Sequence, residues 1–192
     1  MYLLKGVELM TAGVHTDSSG HEYGYSPRHL QDIARGYDAE LHEAPIVLGH
    51  SSDPAFHENA DKLPAFGWVK RLYAEGNKLF GDLLICEALK RWIENQNYKH
   101  RSVGLYGPRH SSNPSPGKFS LRHLAVLGAM PPAIKGMPGL NNYLSEATLM
   151  TNPLIADAFT FSERDGDTVT IQHSEELIAD PKALQFANLF RN

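Results

Sequence analysis

Three polar residues have the types and surroundings that nucleophilic catalysis requires: Ser102, His123 and His50. Ser102 and His123 each lie in a short run of apolar and β-branched residues, which predicts a strand. The segment between the two runs, RHSSNPSPGK, consists mainly of turn formers and predicts a hairpin over residues 98–133. A serine becomes a nucleophile only beside a base that accepts its proton, and adjacent strands can bring such a pair together. The hairpin alone therefore makes His123 the first candidate for the base.

His50 is a second candidate for the base. It follows the apolar run at 44–49, which predicts a buried strand ending at the edge of a cleft. The structural alternative is that the histidines are buried and need hydrogen-bond partners. Mutual pairing of Ser102, His50 and His123 would satisfy all three groups. His100 and Arg101 are expected to be strand-edge or surface groups.

Two other kinds of hydrolase are disfavoured by the motifs. Position 100 is His, so Ser102 does not lie in the G-x-S-x-G elbow of α/β-hydrolases. Ten histidines keep metal catalysis open as an alternative, but the H-E-x-x-H pattern is absent. Cys86 is the only cysteine, which excludes an internal disulfide and multi-cysteine zinc motifs. We predict neither a metal nor a cofactor.

Length and composition fit one ordinary domain with a tail. The chain has 192 residues, of which 42% are hydrophobic and 21% charged, as in soluble globular proteins. A formal net charge of -4 gives no reason to expect nucleic acid as a partner. The apolar runs stay well short of the ~20 residues of a membrane span, and the apolar start is too short for a signal peptide. The expected location is a cytoplasm.

The elements that must position these residues are mostly strands. Strands without regular βαβ alternation indicate a mostly β or α+β domain rather than a parallel sheet. Residues 15–24 are expected to form a loop. We predict strands at 2–10, 44–49, 66–72, 78–86 and 168–172, and helices from Ser26 to about Gly36, from Glu87 to Gln96 and from Asp180.

Several motifs resemble, in the same order, those of the capsid maturation (prohead) proteases of tailed bacteriophages. The resemblance covers about residues 5–140 and extends more distantly to assemblin, the assembly protease of herpesviruses. Its residues are VHTDSSG at 14–20, YSPRHLQDIARGYD at 25–38, GH at 49–50, PAFGWV at 64–69, KHRSVGLY at 99–106 and LRHLAVLGAMPPAIKG at 121–136.

The resemblance implies an α+β fold, with a mostly antiparallel β-barrel ringed by a few helices. It implies a protease domain at 1–140 and a C-terminal extension at 141–192, either a linker to a scaffolding segment, its remnant or a region of self-cleavage. By similarity to assemblin, Ser102 is the nucleophile, His50 the base and His123 the third member. Gly128 and Ala129 are the predicted oxyanion donors, because glycine permits close backbone approach.

The same resemblance implies a role inside the phage procapsid, in the cytoplasm of a bacterial host. Its partners would be scaffolding and major capsid proteins, and dimerisation follows by analogy with assemblin. A histidine at the third position fixes a tautomer but supplies no full charge, and disabling the carboxylate of a Ser-His-Asp triad costs about 10⁴ in rate. We therefore expect slow turnover. The rival function is a scaffold-like assembly protein that binds capsid subunits without cleaving them.

Overall fold

The computed structural model describes residues 1–16, 20–49 and 64–150. Nine strands and two α-helices occupy these ranges, and a 3-10 helix, Leu140–Tyr143, follows the eighth strand. The strands are β1 Tyr2–Thr11, β2 Gly13–Thr16, β3 Glu22–Tyr25, β4 Pro45–Leu48, β5 Gly67–Glu75, β6 Lys78–Ile85, β7 His100–Tyr106, β8 Ser120–Leu127 and β9 Thr148–Leu149; the helices are α1 Pro27–Arg35 and α2 Glu87–Glu94.

Seven strands form one sheet in the order β7-β8-β4-β5-β6-β1-β9. The pairing of β4 with β8 is parallel, and the other pairings in this sheet are antiparallel. The sheet curls, because β1 contacts β7 although four strands separate them in the order. The α+β class is therefore confirmed. In the described residues, however, the antiparallel barrel does not close, since no ladder joins β7 to β1 or β9 and one pair is parallel.

Local signals explain why the helices begin and end where they do. The Ser26 hydroxyl accepts a hydrogen bond from the His29 N–H at 3.2 Å, and Pro27 occupies the first turn of α1. Cys86 caps α2 through its sulfur, which accepts from the Leu89 N–H at 3.4 Å. Both predicted helices in the described region are confirmed. The strands predicted at 66–72 and 78–86 form a hairpin whose turn holds Gly76.

The expectation of a loop at 15–24 was wrong. Gly13–Thr16 pairs with Glu22–Tyr25 as a two-stranded antiparallel sheet, separate from the main one. Most residues of this hairpin are exposed. Without a buried face, these strands lack the apolar alternation that identifies a strand in a sequence.

The core lies on the inner face of the curled sheet and under the helices. In β6 every second residue is buried, as expected of a strand with one face to the core. In β8 seven of the eight residues are buried, because it lies between β7 and β4 and is covered on both faces. The helices contribute Leu30, Ile33, Leu89 and Ile93 to the same core.

The segment after residue 137 packs on the sheet. Thr148 and Leu149 pair with Leu3 and Tyr2 of β1, and Leu140 is 1% exposed. A compact unit runs from Met1 to Thr151. The predicted strand at 168–172 and the helix from Asp180 lie outside the described residues. Within the described ranges, the helices are too short or too polar to cross a membrane.

Candidate active site

The hairpin of β7 and β8 presents Ser102 and His123 on one face of the sheet. Ser102 is paired with Ala125, and Gly104 is paired with His123. Side chains two residues apart on a strand share a face, and directly paired residues share a face as well. Ser102 and His123 are therefore diagonal neighbours. The other two residues of these pairs, Gly104 and Ala125, are small.

The small size of Gly104 makes room for the imidazole of His123. A Cβ atom added to Gly104 would lie 2.3 Å from Cε1 of His123 and 2.7 Å from each of the ring nitrogens. The ring thus covers the α-carbon of Gly104 and extends across β7, the strand that carries Ser102. His123 is only 7% exposed, and its side chain is engaged in an interaction. Ser102 is half-buried.

A β-bulge lies directly beside this group. The pairing passes from Gly104 with His123 to Leu105 with Leu121, so Arg122 is the extra residue on β8. The exposed Arg122 places its guanidinium 5.7 Å from the ring centre of Tyr106. Bulges bend a strand and change the direction of neighbouring side chains, and they are frequent next to active sites.

The strand that leads to His50 runs beside β8. Leu48 is paired with Val126 in the parallel ladder, and the Gly49 N–H donates to the Val126 carbonyl at 3.0 Å. Gly49 has a φ of 70°, a conformation that favours glycine at this point. His50 itself lies outside the described residues. A base at position 50 requires the strand that leads to Gly49 to lie against the hairpin, and this strand pairs with β8.

Arg101 is the residue that sequence reasoning misjudged. It is 1% exposed, not a surface group. Its Nε donates to the Glu8 carbonyl at 2.5 Å, its Nη1 donates to the Pro138 carbonyl, and its guanidinium lies 5.6 Å from the ring centre of Tyr143. Burial lowers the pKa of Arg101, while Tyr143 and Glu8 oppose this change. Strand alternation was the available signal: if Ser102 faces a site, Arg101 must face the interior.

The predicted oxyanion residues follow the end of β8. Gly128 has the Asn97 carbonyl and the ring of Tyr98 as its neighbours, and burial raises the pKa of Tyr98. Ala129 is exposed. Gly128 is three residues beyond Ala125, a distance of roughly 10 Å along a strand. Both residues follow Leu127, which pairs with His100 at the start of β7.

A cleft opens beside the start of β7. Its volume is about 180 Å³, and one wall is formed by His100 and Arg101. The other wall comes from the loop that follows β8 and contains Lys135 and Gly136. His100 and Ser102 are two residues apart on one strand, so their α-carbons are roughly 7 Å apart on the same face. The cleft therefore begins two positions before Ser102, although Ser102 itself is not among the residues that line it.

The described residues contain no group of three or more His, Cys, Asp or Glu side chains that could hold a metal ion. The chemistry offered by the described part of the chain is that of a half-buried serine diagonal to a buried imidazole, next to a cleft. In comparisons with known proteins, no family model, curated protein or solved structure matches this chain.

Proposed function

We propose that this protein is a serine endopeptidase of phage capsid assembly, with Ser102 as the nucleophile, His50 as the general base and His123 as the residue that orients the base. The observation that carries the proposal is the imidazole of His123 lying over Gly104 on the face that holds Ser102. The resemblance of the motifs to prohead proteases supplies the reaction and the setting.

The packing around the site supports this division of roles. An imidazole that orients another group must itself be fixed, and His123 lies on a strand that is buried on both sides and pairs with β7 and β4. The parallel pairing brings the end of β4 beside the hairpin. A base at position 50 would then share one sheet with the serine and the second histidine.

The proposed reaction has two steps. In the first, the proton of the Ser102 hydroxyl passes to His50, the oxygen bonds to the scissile carbonyl carbon, and the peptide C–N bond breaks as His50 returns the proton to the leaving amine. In the second, water loses a proton to His50 and bonds to the acyl carbon, the ester bond to Ser102 breaks, and His50 returns the proton to the serine oxygen. The oxyanion donors Gly128 and Ala129 stay a prediction.

The architecture and setting are part of the same proposal. We take the curled sheet to be an open variant of the assemblin-like barrel, because the inner face of the sheet is the core and β1 contacts β7. The substrates would be scaffolding and capsid-associated proteins inside the procapsid, in the cytoplasm of the host bacterium. We also propose that the protein forms a homodimer and cleaves itself within residues 141–192, as the resemblance to assemblin and the phage proteases implies.

Labelling by a serine-directed phosphonate tests the proposal. The native protein should react at Ser102, and Ser102→Ala should lose both this label and the processing of co-expressed scaffold while its thermal unfolding stays unchanged. The exposed Ser112 offers a matched control, since Ser112→Ala should leave labelling intact. Continued cleavage by purified Ser102→Ala would refute the assignment. Binding of capsid subunits without labelling would favour the scaffold-like rival, and loss of activity with a chelator would favour a metal hydrolase.

A further inference from the structure

The cleft at the start of β7 is lined by two kinds of surface. Pro132, Ile134 and Met137 provide apolar walls. His100, Arg101 and Lys135 are its basic members, and no acidic side chain is found among the described residues that line it. A ligand side chain with apolar methylene groups and a negatively charged end would match both surfaces, whereas a lysine or arginine side chain would be repelled by the like charge.

The buried charge of Arg101 reinforces this preference. Its Nε and Nη1 donate to backbone carbonyls, the phenol of Tyr143 is its other polar neighbour, and its Nη2 is buried without a hydrogen-bond partner. Glu8 is the nearby carboxylate, but its oxygens bind Lys78 at 2.9 Å and the Thr11 hydroxyl at 3.3 Å. A buried cation without a directly paired anion is costly, so an anion in the adjacent cleft is favoured.

We propose that this cleft is a specificity pocket that takes an acidic side chain of the substrate, beside the bond that Ser102 attacks. The carboxylate would face Lys135 and His100 in the field of Arg101, and the methylene groups would pack against Ile134 and Met137. This inference rests on the proposed function, because it names the substrate class of the same site.

Cleavage of a randomised peptide library by the full chain, with the fragments read by mass spectrometry, tests the preference. At one position next to the cleaved bond, Glu should be enriched about tenfold over Gln, an amide of nearly the same shape. Lys135→Met should reduce this ratio towards one, and Lys135→Glu should shift the preference towards lysine. Lys135 is exposed, so both variants should fold.

The control is Lys118→Met, which removes another exposed lysine from the separate cleft formed with His29 and Asp32. It should leave the Glu to Gln ratio unchanged. Equal cleavage beside Glu and beside Gln, by an enzyme whose Ser102 still reacts with a neutral phosphonate, would overturn the pocket and leave the protease assignment intact.

A binding measurement tests the cleft independently of the proposed function if Ser102 does not react with the phosphonate. If Ser102 takes no label, the proposed function fails, and the cleft is tested by the binding of matched Glu and Gln peptides from the library to Ser102→Ala. Tighter binding of the Glu member that is lost in Lys135→Met supports an acidic-segment site. Equal binding of the two peptides rejects it.

Discussion

Gly104 matters at the scale of single residues because of the side chain that it lacks. The space that its Cβ would occupy is taken by the ring of His123. A cross-strand neighbour of any other type would force the imidazole away from β7. Gly104 thus determines the position of the His123 ring, although it has no side chain that could bind the imidazole.

We expect Gly104→Ala to displace the imidazole of His123. Because the new methyl group would overlap a buried ring, the free energy of unfolding should fall by about 1–3 kcal/mol. Phosphonate labelling of Ser102 should slow by at least about tenfold, since the positioning of the base would be lost. Chemical denaturation and labelling rates measure the two effects.

Gly107, one residue beyond β7, provides the matched control. An added Cβ atom there would meet nothing within 4 Å. Gly107→Ala should therefore unfold and react like the native protein. Normal labelling in Gly104→Ala would show that the place of His123 over β7 is unimportant for the reaction.

Part of this arrangement could be predicted from the sequence. The apolar runs around Ser102 and His123 predicted two paired strands, which are β7 and β8. The register could not be predicted, because it depends on the bulge at Arg122. A bulge has no apolar periodicity of its own, so a sequence does not reveal which residue is the extra one. The buried position of Arg101 was missed for the related reason that charge was taken to indicate exposure.

At the scale of elements, the connection between β7 and β8 is held by one buried side chain. Nδ2 of Asn113 donates to the carbonyls of Gly107 and Lys118, at 2.9 Å and 2.7 Å. Its Oδ1 accepts from the Ser115 N–H at 2.8 Å and from the Ser120 hydroxyl at 2.6 Å. These four hydrogen bonds join both ends of the connection to its middle.

Asn113→Ala should destabilise the hairpin that carries Ser102 and His123. The substitution leaves buried polar groups without partners, so we expect the free energy of unfolding to fall by about 2 kcal/mol. Thermal and urea denaturation provide the measurement. Asn142→Ala removes an exposed asparagine and should change the same quantity by less than about 0.5 kcal/mol. Equal effects of the two substitutions would contradict the role given to Asn113.

The order of the elements along the chain was easier to predict than the pairing of the strands in the sheet. Ser26 with Pro27 and the turn at Gly76 are local signals, and each marks an element that the structure contains. The parallel pairing of β4 with β8 leaves no such signal. It joins residues far apart in the chain, and it depends on the packing of two apolar runs that look alike in sequence.

At the scale of the whole compact unit, residues 138–149 act as a strap across the curled sheet. The strap includes Pro138, whose carbonyl accepts from Arg101, and Tyr143, whose hydroxyl accepts from the Glu8 N–H at 3.3 Å. Its last residues pair with β1. It therefore connects β7, the strand that carries Ser102, to β1.

Shortening the chain should show how much the strap contributes. A chain that ends at Thr151 should keep the thermal unfolding of this unit, whereas one that ends at Met137 should lose about 3 kcal/mol or more. The second chain loses the burial of Leu140 and exposes the partners of Arg101. Circular dichroism melts of both chains provide the test. Similar melting temperatures for the two would reject a structural role of the strap.

The parallel pairing also sets the time at which the proposed site can assemble. Ile46 pairs with Leu124, so the end of β4 reaches its neighbour only after the whole of β8 has been synthesised. The hairpins β5–β6 and β7–β8 close locally and can form early, while β4 must enter between them after long loops have closed. A nascent chain on the ribosome thus holds the proposed serine and its base apart. Under the proposed function, the chain cannot cleave other proteins until β4 has paired with β8.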